Sequence, residues 1–212
     1  MMYTYRKLTP KQRAELVQQR LAKGYPPHRP PHPLRDQSFY LITAACYEHQ
    51  PHLASEQRRS DLLNLVFQKF TQHSIGLRGW VVLPNHYHLL IDLREPDRET
   101  LNTRDNGGRY RELEKAIQKV HGSSAYQWNR EEQTQGRTVW YAYIDRAIRS
   151  EHHYYTTLNY IHYNPVKHGW AASPYDWLCS SVHWYLDQEG REWLRDSWVR
   201  YPVKEYGQDW DD

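Results

Sequence analysis

The sequence predicts an α+β protein with a ferredoxin-like βαββαβ core, an antiparallel sheet that carries helices on one face. Two observations predict this fold. Short β-branched and aromatic segments alternate with segments of helical apolar spacing, in the order strand, helix, strand, strand, helix, strand. A further amphipathic helix follows the last strand, and a basic helical arm precedes the first.

The first half of the core is predicted to hold three strands and one helix. Residues 38–47 are apolar, β-branched and aromatic, which predicts the first strand. Apolar residues recur at helical spacing over 55–73, which predicts a helix. Residues 79–83 and 86–93 predict two further strands, and Pro84 favours a tight turn between them. These two strands are therefore expected to form a hairpin.

The second half is predicted to hold a helix, the fourth strand and one more helix. Residues 109–121 predict the second core helix, and the apolar segment 138–144 predicts the fourth strand. Ser150 is a favoured helix cap, so a helix is expected to follow it over 151–164. Pro165 disfavours helical geometry in the residue before it, and we expect the helix to end there.

Charge and proline content divide the chain. Residues 1–35 hold eight Lys or Arg and one Glu, a local charge of +7, which leaves −4 for the rest of a chain whose net charge is +3. Thr9 favours a helix start in this segment, and five prolines within 26–33 predict an extended linker. We therefore expect a basic N-terminal arm over 1–35 suited to phosphates, a core domain over 36–185 and a C-terminal extension over 186–212.

The composition also excludes several classes of protein. Cys46 and Cys179 are far apart and form no CxxC pair, which argues against a disulfide framework or a thiolate zinc site. No apolar run approaches the ~18 residues of a membrane span, and the charged N-terminus is unlike a signal peptide. We therefore expect a cytoplasmic protein. Its nine Trp and 18 Tyr suit both a core and a surface that stacks on bases.

Two pairs of polar side chains are expected to share a face. Side chains alternate along a strand, so His86 and His88 point the same way, about 7 Å apart. Residues four apart on a helix also share a face, which places Tyr160 next to Asn164. Two imidazoles and an amide are donors that can converge on a metal ion beside the tyrosine. Imidazole by itself suits zinc, cobalt or nickel, so these donors leave the metal open.

Four segments carry a resemblance to a known family. GWVVLPN, HYHLLIDL, AIRS and YIHYNPVKHGW resemble the REP-associated tyrosine transposases, a branch of the single-tyrosine HUH transposases. The resemblance covers residues 38–185 and leaves the basic arm unexplained. It implies a metal-dependent enzyme that cleaves and rejoins single-stranded DNA at hairpin-forming, REP-like repeats through a 5′-phosphotyrosine intermediate.

The resemblance also implies roles for individual residues. Tyr160 matches the nucleophile, His86 and His88 match the metal-binding pair, and Asn164 matches the third metal ligand. The implied metal is Mg²⁺ or Mn²⁺, and the implied partner is a single-stranded DNA hairpin bound by a monomer or a homodimer. Basic residues that flank the Tyr160 helix are further candidates for contact with phosphates. They are Arg146, Arg149, Lys167 and His168.

Two other functions are compatible with the sequence. A ferredoxin-like sheet rich in aromatic residues can serve as a non-catalytic binding module for single-stranded nucleic acid. A metal-dependent phosphodiesterase that uses water as its nucleophile would need the metal ligands but not Tyr160. The formation of a covalent adduct with DNA distinguishes the transposase from both alternatives.

Overall fold

The computed structural model describes residues 38–94 and 106–207, together with scattered positions between Thr9 and Gln19. It confirms the α+β class. The core and its C-terminal helices run in the following order: β1 (Phe39–Ala45), α1 (Glu56–Gln72), β2 (Gly76–Val82), β3 (His86–Asp92), α2 (Asn106–Glu131), β4 (Ile144–Ala147), α3 (Glu151–Lys167), α4 (Val182–Gln188) and α5 (Gly190–Arg200).

The four strands form one antiparallel sheet in the order β2-β3-β1-β4. The predicted hairpin joins β2 to β3, and the Leu83 N–H donates to the His86 carbonyl across its turn at 2.8 Å. Two backbone hydrogen bonds anchor this turn from outside, because the Pro84 carbonyl accepts from Leu53 and the Asn85 carbonyl accepts from Cys46. The turn therefore holds the start of β3 in a fixed position.

One face of the sheet packs against α1 and α2. Tyr87, which follows His86, belongs to this face, and its hydroxyl lies 2.8 Å from His121 Nε2 on α2. Burial raises the pKa of the Tyr87 hydroxyl and lowers the pKa of His121 to about 3, so a neutral phenol and a neutral imidazole share this hydrogen bond. The core on this face includes Tyr40, Ile42, Leu62, Val66, Phe70, Leu89, Ile91, Leu113 and Ile117.

The opposite face of the sheet is covered by α3. Gly79 on β2 permits this close approach, because a Cβ there would lie 2.8 Å from Leu158 Cδ1 and 3.6 Å from Ile161 Cδ1. From Thr156 to His162 every residue of α3 is buried, and therefore the helix has no solvent-facing side in its middle. The sheet thus lies between α1 and α2 on one face and α3 on the other.

The C-terminal helices cover the outer side of α3. The Asn159 amide donates to the carbonyls of Ser197 and Tyr201, both at 2.9 Å, and its oxygen accepts from the Ser197 hydroxyl at 3.1 Å. His162 Nε2 lies 3.2 Å from Ser181 Oγ, next to the start of α4. These contacts fix α3 along its length.

Three elements differ from the sequence-based expectation. The helix α3 continues through Pro165 to Lys167 instead of ending at Asn164, because Pro165 is buried by tertiary packing and the carbonyls of the last turn, at Asn164, Pro165 and Val166, accept the bonds of a terminal cap. The helix α2 continues ten residues beyond His121 to Glu131, since packing overrides the weak helix propensity of Gly122. The strand β4 is Ile144–Ala147, not 138–144: it is a half-buried edge strand, which tolerates charged side chains.

Residues 35–204 form one compact unit, and residues 1–34 with 205–212 form a second. In the second unit, the predicted helix start at Thr9 is a capping box. The Gln12 N–H donates to Thr9 Oγ1, and the Thr9 N–H donates to Gln12 Oε1. Most of the basic arm, including the proline-rich linker 26–33, lies outside the described residues.

The close approach of α3 to β2 predicts how two glycine substitutions differ. Gly79→Val is expected to lower the free energy of unfolding by about 1–3 kcal/mol, because the new side chain overlaps Leu158. Gly122→Ala on α2 is the matched control, since nothing lies within 4 Å of its added Cβ, and we expect a gain of about 0.5–1 kcal/mol. Chemical denaturation measures both, and a Gly79→Val protein as stable as the parent would contradict the close packing.

Candidate active site

The site lies where β3 meets α3. The Tyr160 hydroxyl on α3 lies 3.3 Å from His88 Nε2 on β3, and the two rings are 5.1 Å apart in an edge-on arrangement. The ring of His86 is 5.0 Å from that of His88. All three side chains are buried. The structure thus brings together the tyrosine and the histidine pair that the sequence predicts.

Thr43 on β1 orients His88. The two residues are directly opposite in the β1–β3 register, and Thr43 Oγ1 lies 2.8 Å from His88 Nδ1. When His88 Nδ1–H donates to Thr43, the lone pair of the imidazole lies on Nε2, which is the atom that faces Tyr160. Thr43 therefore fixes the orientation of the ring, and in this tautomer Nε2 is able to accept a hydrogen bond or bind a metal.

Asn85 plays the same part for His86. Its Oδ1 lies 2.7 Å from His86 Nδ1. A carbonyl oxygen only accepts hydrogen bonds, so Nδ1 must carry the proton and the lone pair must lie on Nε2. Since backbone bonds anchor the turn that holds Asn85, the orientation of His86 follows from the hairpin. Sequence analysis missed both Thr43 and Asn85 as parts of the site.

Asn164 is buried without a hydrogen bond. Its side chain is 1% exposed, and neither Oδ1 nor Nδ2 has a partner among the described residues. A buried amide left in this state costs about 1–3 kcal/mol. Asn159 on the same helix contrasts with it, because both of its side-chain atoms are satisfied. An amide oxygen with no partner, one turn after Tyr160, is suited to bind a ligand.

The donor set fits a metal ion. Two imidazoles with their lone pairs on Nε2 and one amide oxygen are neutral donors that leave positions open for other ligands. Within the described ranges, no group of three or more His, Cys, Asp or Glu could hold a metal. A metal site here would therefore need a ligand other than His, Cys, Asp or Glu, and the amide oxygen of Asn164 is such a ligand.

Two of the four predicted phosphate contacts lie against the site. Lys167 Nζ is 5.3 Å from the centre of the Tyr160 ring, and the ring of His168 is 5.1 Å from that of His86. The other two lie on or beyond β4. Arg146 is opposite Leu41 in the β1–β4 register, and Arg149 is exposed just before α3.

The fold is that of a transposase, and comparison with known proteins identifies the family. The chain is 31% identical over 136 residues to a REP-associated tyrosine transposase of Escherichia coli K12, a match that spans 59% of this chain and 70% of that protein. It therefore belongs to the REP-associated tyrosine transposases, a family of enzymes.

Two further comparisons agree with this assignment. A putative REP-associated tyrosine transposase of Haemophilus influenzae is 33% identical over 111 residues, which span 48% of this chain and 56% of that protein. The solved structure of a REP-associated tyrosine transposase bound to a REP hairpin has a similar fold, with a TM-score of 0.52 at 23% identity over 73% of this chain and 82% of that one. No family model matches the chain. No helix in the described part of the chain could span a membrane.

The contrast between the two asparagines of α3 gives a test of the site. Without metal, Asn164→Ala is expected to leave the free energy of unfolding unchanged within about 0.5 kcal/mol, because the removal of two unpaired polar atoms offsets the loss of packing. Asn159→Ala is expected to lose about 1–3 kcal/mol, because it removes the amide that donates to the Ser197 and Tyr201 carbonyls and accepts from the Ser197 hydroxyl. Chemical denaturation in a chelator compares the two. Equal losses would mean that Asn164 has a structural role.

Proposed function

We propose that this protein is a metal-dependent nuclease and strand transferase. It cleaves and rejoins single-stranded DNA at hairpin-forming, REP-like repeats, with Tyr160 as the nucleophile. The observation that carries the proposal is the buried, unpartnered amide of Asn164, one helical turn from a tyrosine hydroxyl that lies 3.3 Å from His88 Nε2. The membership of the chain in its family supports the same reaction.

His86, His88 and Asn164 would hold Mg²⁺ or Mn²⁺. When bound, the ion supplies a Lewis acid that polarises the phosphate to be cleaved. Hard ions of this kind prefer oxygen ligands and keep part of their shell for water and substrate. Two imidazoles and one amide oxygen therefore give a weak site, which we expect to fill in the presence of DNA phosphate.

Tyr160 carries the covalent step. Its oxygen attacks the phosphorus and forms a new P–O bond, while the bond from phosphorus to the 3′ oxygen breaks and that oxygen leaves as a 3′-hydroxyl. The phenol proton balances the leaving oxygen. The 5′-phosphotyrosine that results keeps one phosphodiester-like bond, so a second 3′-hydroxyl can reverse the step and join new ends without another energy source.

The surroundings of Tyr160 suit a DNA substrate. Lys167 lies beside the phenol ring and adds positive charge where the phosphate must approach. The basic arm over 1–35, with its charge of +7, would hold the flank of the hairpin. Tyr160 and His88 of one chain lie in contact, which supports a site built within one protomer, whether the protein acts as a monomer or as a homodimer.

A denaturing-gel assay tests the nucleophile. The protein is mixed with Mg²⁺ or Mn²⁺ and labelled single-stranded DNA that covers hairpin repeats from beside the gene. We expect a slowly migrating covalent adduct that requires the metal and disappears in Tyr160→Phe, because only the phenol oxygen can form the phosphotyrosine. The matched control is Tyr163→Phe, a half-buried tyrosine of the same helix that packs on Trp198, and it should keep the adduct.

The same assay separates the other two functions. Binding without adduct or cleavage, with several repeats and both metals, would indicate a non-catalytic module for single-stranded nucleic acid. Cleavage without an adduct, retained in Tyr160→Phe, would indicate a phosphodiesterase that uses water. An adduct that persists in Tyr160→Phe would assign the nucleophile to a different residue.

The contact between Thr43 and His88 predicts an effect on metal binding. Thr43→Val removes the hydroxyl that orients His88 but keeps the shape of the side chain, and we expect the affinity for Mn²⁺ to fall about 10- to 100-fold. Thr43→Ser keeps the hydroxyl and should retain most of the affinity. Calorimetric titration of Mn²⁺ with DNA present measures both. Equal affinities for the two variants would show that Thr43 does not orient the ligand.

A further inference from the structure

One tryptophan differs from all the others that the structure describes. Eight of the nine lie in the described part of the chain, since Trp210 does not. Seven of these eight have a ring or cation contact. Trp170 has no such contact among the described residues, and it is 51% exposed. An amphipathic aromatic of this size is normally buried against something, so a partner outside the chain would account for its position.

The backbone of Trp170 is held firmly to the helix that carries Tyr160. The Trp170 N–H donates to the Pro165 carbonyl at 2.9 Å, and the Gly169 N–H donates to the Val166 carbonyl at 3.0 Å. Gly169 has a φ of 69°, so these bonds form the left-handed cap that commonly ends a helix. The backbone that carries the indole is therefore rigid, and little conformational entropy is lost when a ligand binds there.

The same helix end lies against the candidate active site. Lys167 contacts the Tyr160 ring, and His168 packs against His86, a predicted metal ligand. Trp170 comes two residues after His168. A DNA strand with its phosphate at Tyr160 and its backbone along Lys167 would run past this helix end, where the indole is exposed.

We propose that Trp170 is the stacking site for an unpaired base next to the phosphate that is cleaved. This inference rests on the proposed function, because it takes the phosphate at Tyr160 as its reference point. Every base has a π face, so stacking on an indole holds a single strand in place without selecting its sequence. Lys167 supplies the attraction for the backbone, and Trp170 fixes how far along the strand the phosphate lies from Tyr160.

The experiment measures equilibrium binding in the Tyr160→Phe background, in which no covalent step competes. The probe is a fluorescein-labelled DNA hairpin with single-stranded tails, taken from the repeats beside the gene. Trp170→Ala is expected to weaken binding about 5- to 150-fold, which corresponds to ~1–3 kcal/mol for one stacked base. Trp170→Phe keeps an aromatic face and should retain most of the affinity.

Two controls identify stacking as the cause. Trp184→Ala removes an indole of similar exposure, 48%, from α4, and we expect no change in affinity. Trp170 is neutral, so its loss should leave the dependence of affinity on salt unchanged, whereas Lys167→Gln should reduce that dependence. An abasic site is then placed at each unpaired position in turn. At the position whose base stacks on Trp170, the loss of affinity caused by the abasic site and the loss caused by Trp170→Ala should be non-additive.

The outcomes are separable from those of the proposed function. Trp170→Ala protein that binds the tailed hairpin as tightly as its parent overturns the stacking site, even if the wild-type protein forms the adduct. Additive effects of Trp170→Ala and the abasic site at every position overturn it as well. Absence of any DNA binding by the parent, together with absence of the adduct, removes both proposals. Non-additivity at a single position beside the cleaved bond supports the site.

Discussion

The approach of α3 to the sheet determines where the Tyr160 hydroxyl lies relative to His88. At Gly79 the helix comes close enough for Leu158 to occupy the space of a missing side chain. On its other side, α3 is held by the C-terminal segment, because the Asn159 amide donates hydrogen bonds to the backbone carbonyls of Ser197 and Tyr201. A helix held on two sides carries its tyrosine with little freedom, which suits the role proposed for Tyr160, because a nucleophile has to meet a phosphate at the correct distance.

The two faces of the sheet differ in what they bury: one is packed with apolar side chains, and the other carries the candidate site. The face toward α1 and α2 is almost wholly apolar, and its burial supplies most of the driving force for folding. The other face buries polar groups, and each needs a partner. At its far end, burial by itself raises the pKa of Asp92, but hydrogen bonds from Arg94 and Arg78 outweigh it and leave the pKa below its ordinary value. Asn164 differs from Asp92, in that neither polar atom of its amide has a hydrogen-bond partner within the described residues.

Periodicity was enough to predict which side chains of the candidate site share a face, and the resemblance to the family assigned their roles. Alternation along β3 put His86 and His88 on one face, and helical spacing put Tyr160 near Asn164, because both patterns depend only on local backbone geometry. Thr43 could not be found in this way, since its contact with His88 depends on the register between two distant strands. The edge strand β4 was misplaced because its charged residues resemble a loop, and α3 was cut short because Pro165 is tolerated there by tertiary packing.

The contacts of Asn159 also bear on the order in which the parts of the candidate site form during synthesis. A chain is synthesised from its N-terminus, and domains generally begin to fold in that direction. The strand with His86 and His88 is made long before Ser197 and Tyr201, whose carbonyls hold α3. A nascent chain would therefore possess the histidines while the helix with Tyr160 still lacks these supports. The helix with Tyr160 is therefore the last part of the candidate site to be fixed, so an incomplete chain lacks the complete site even when its sheet has formed.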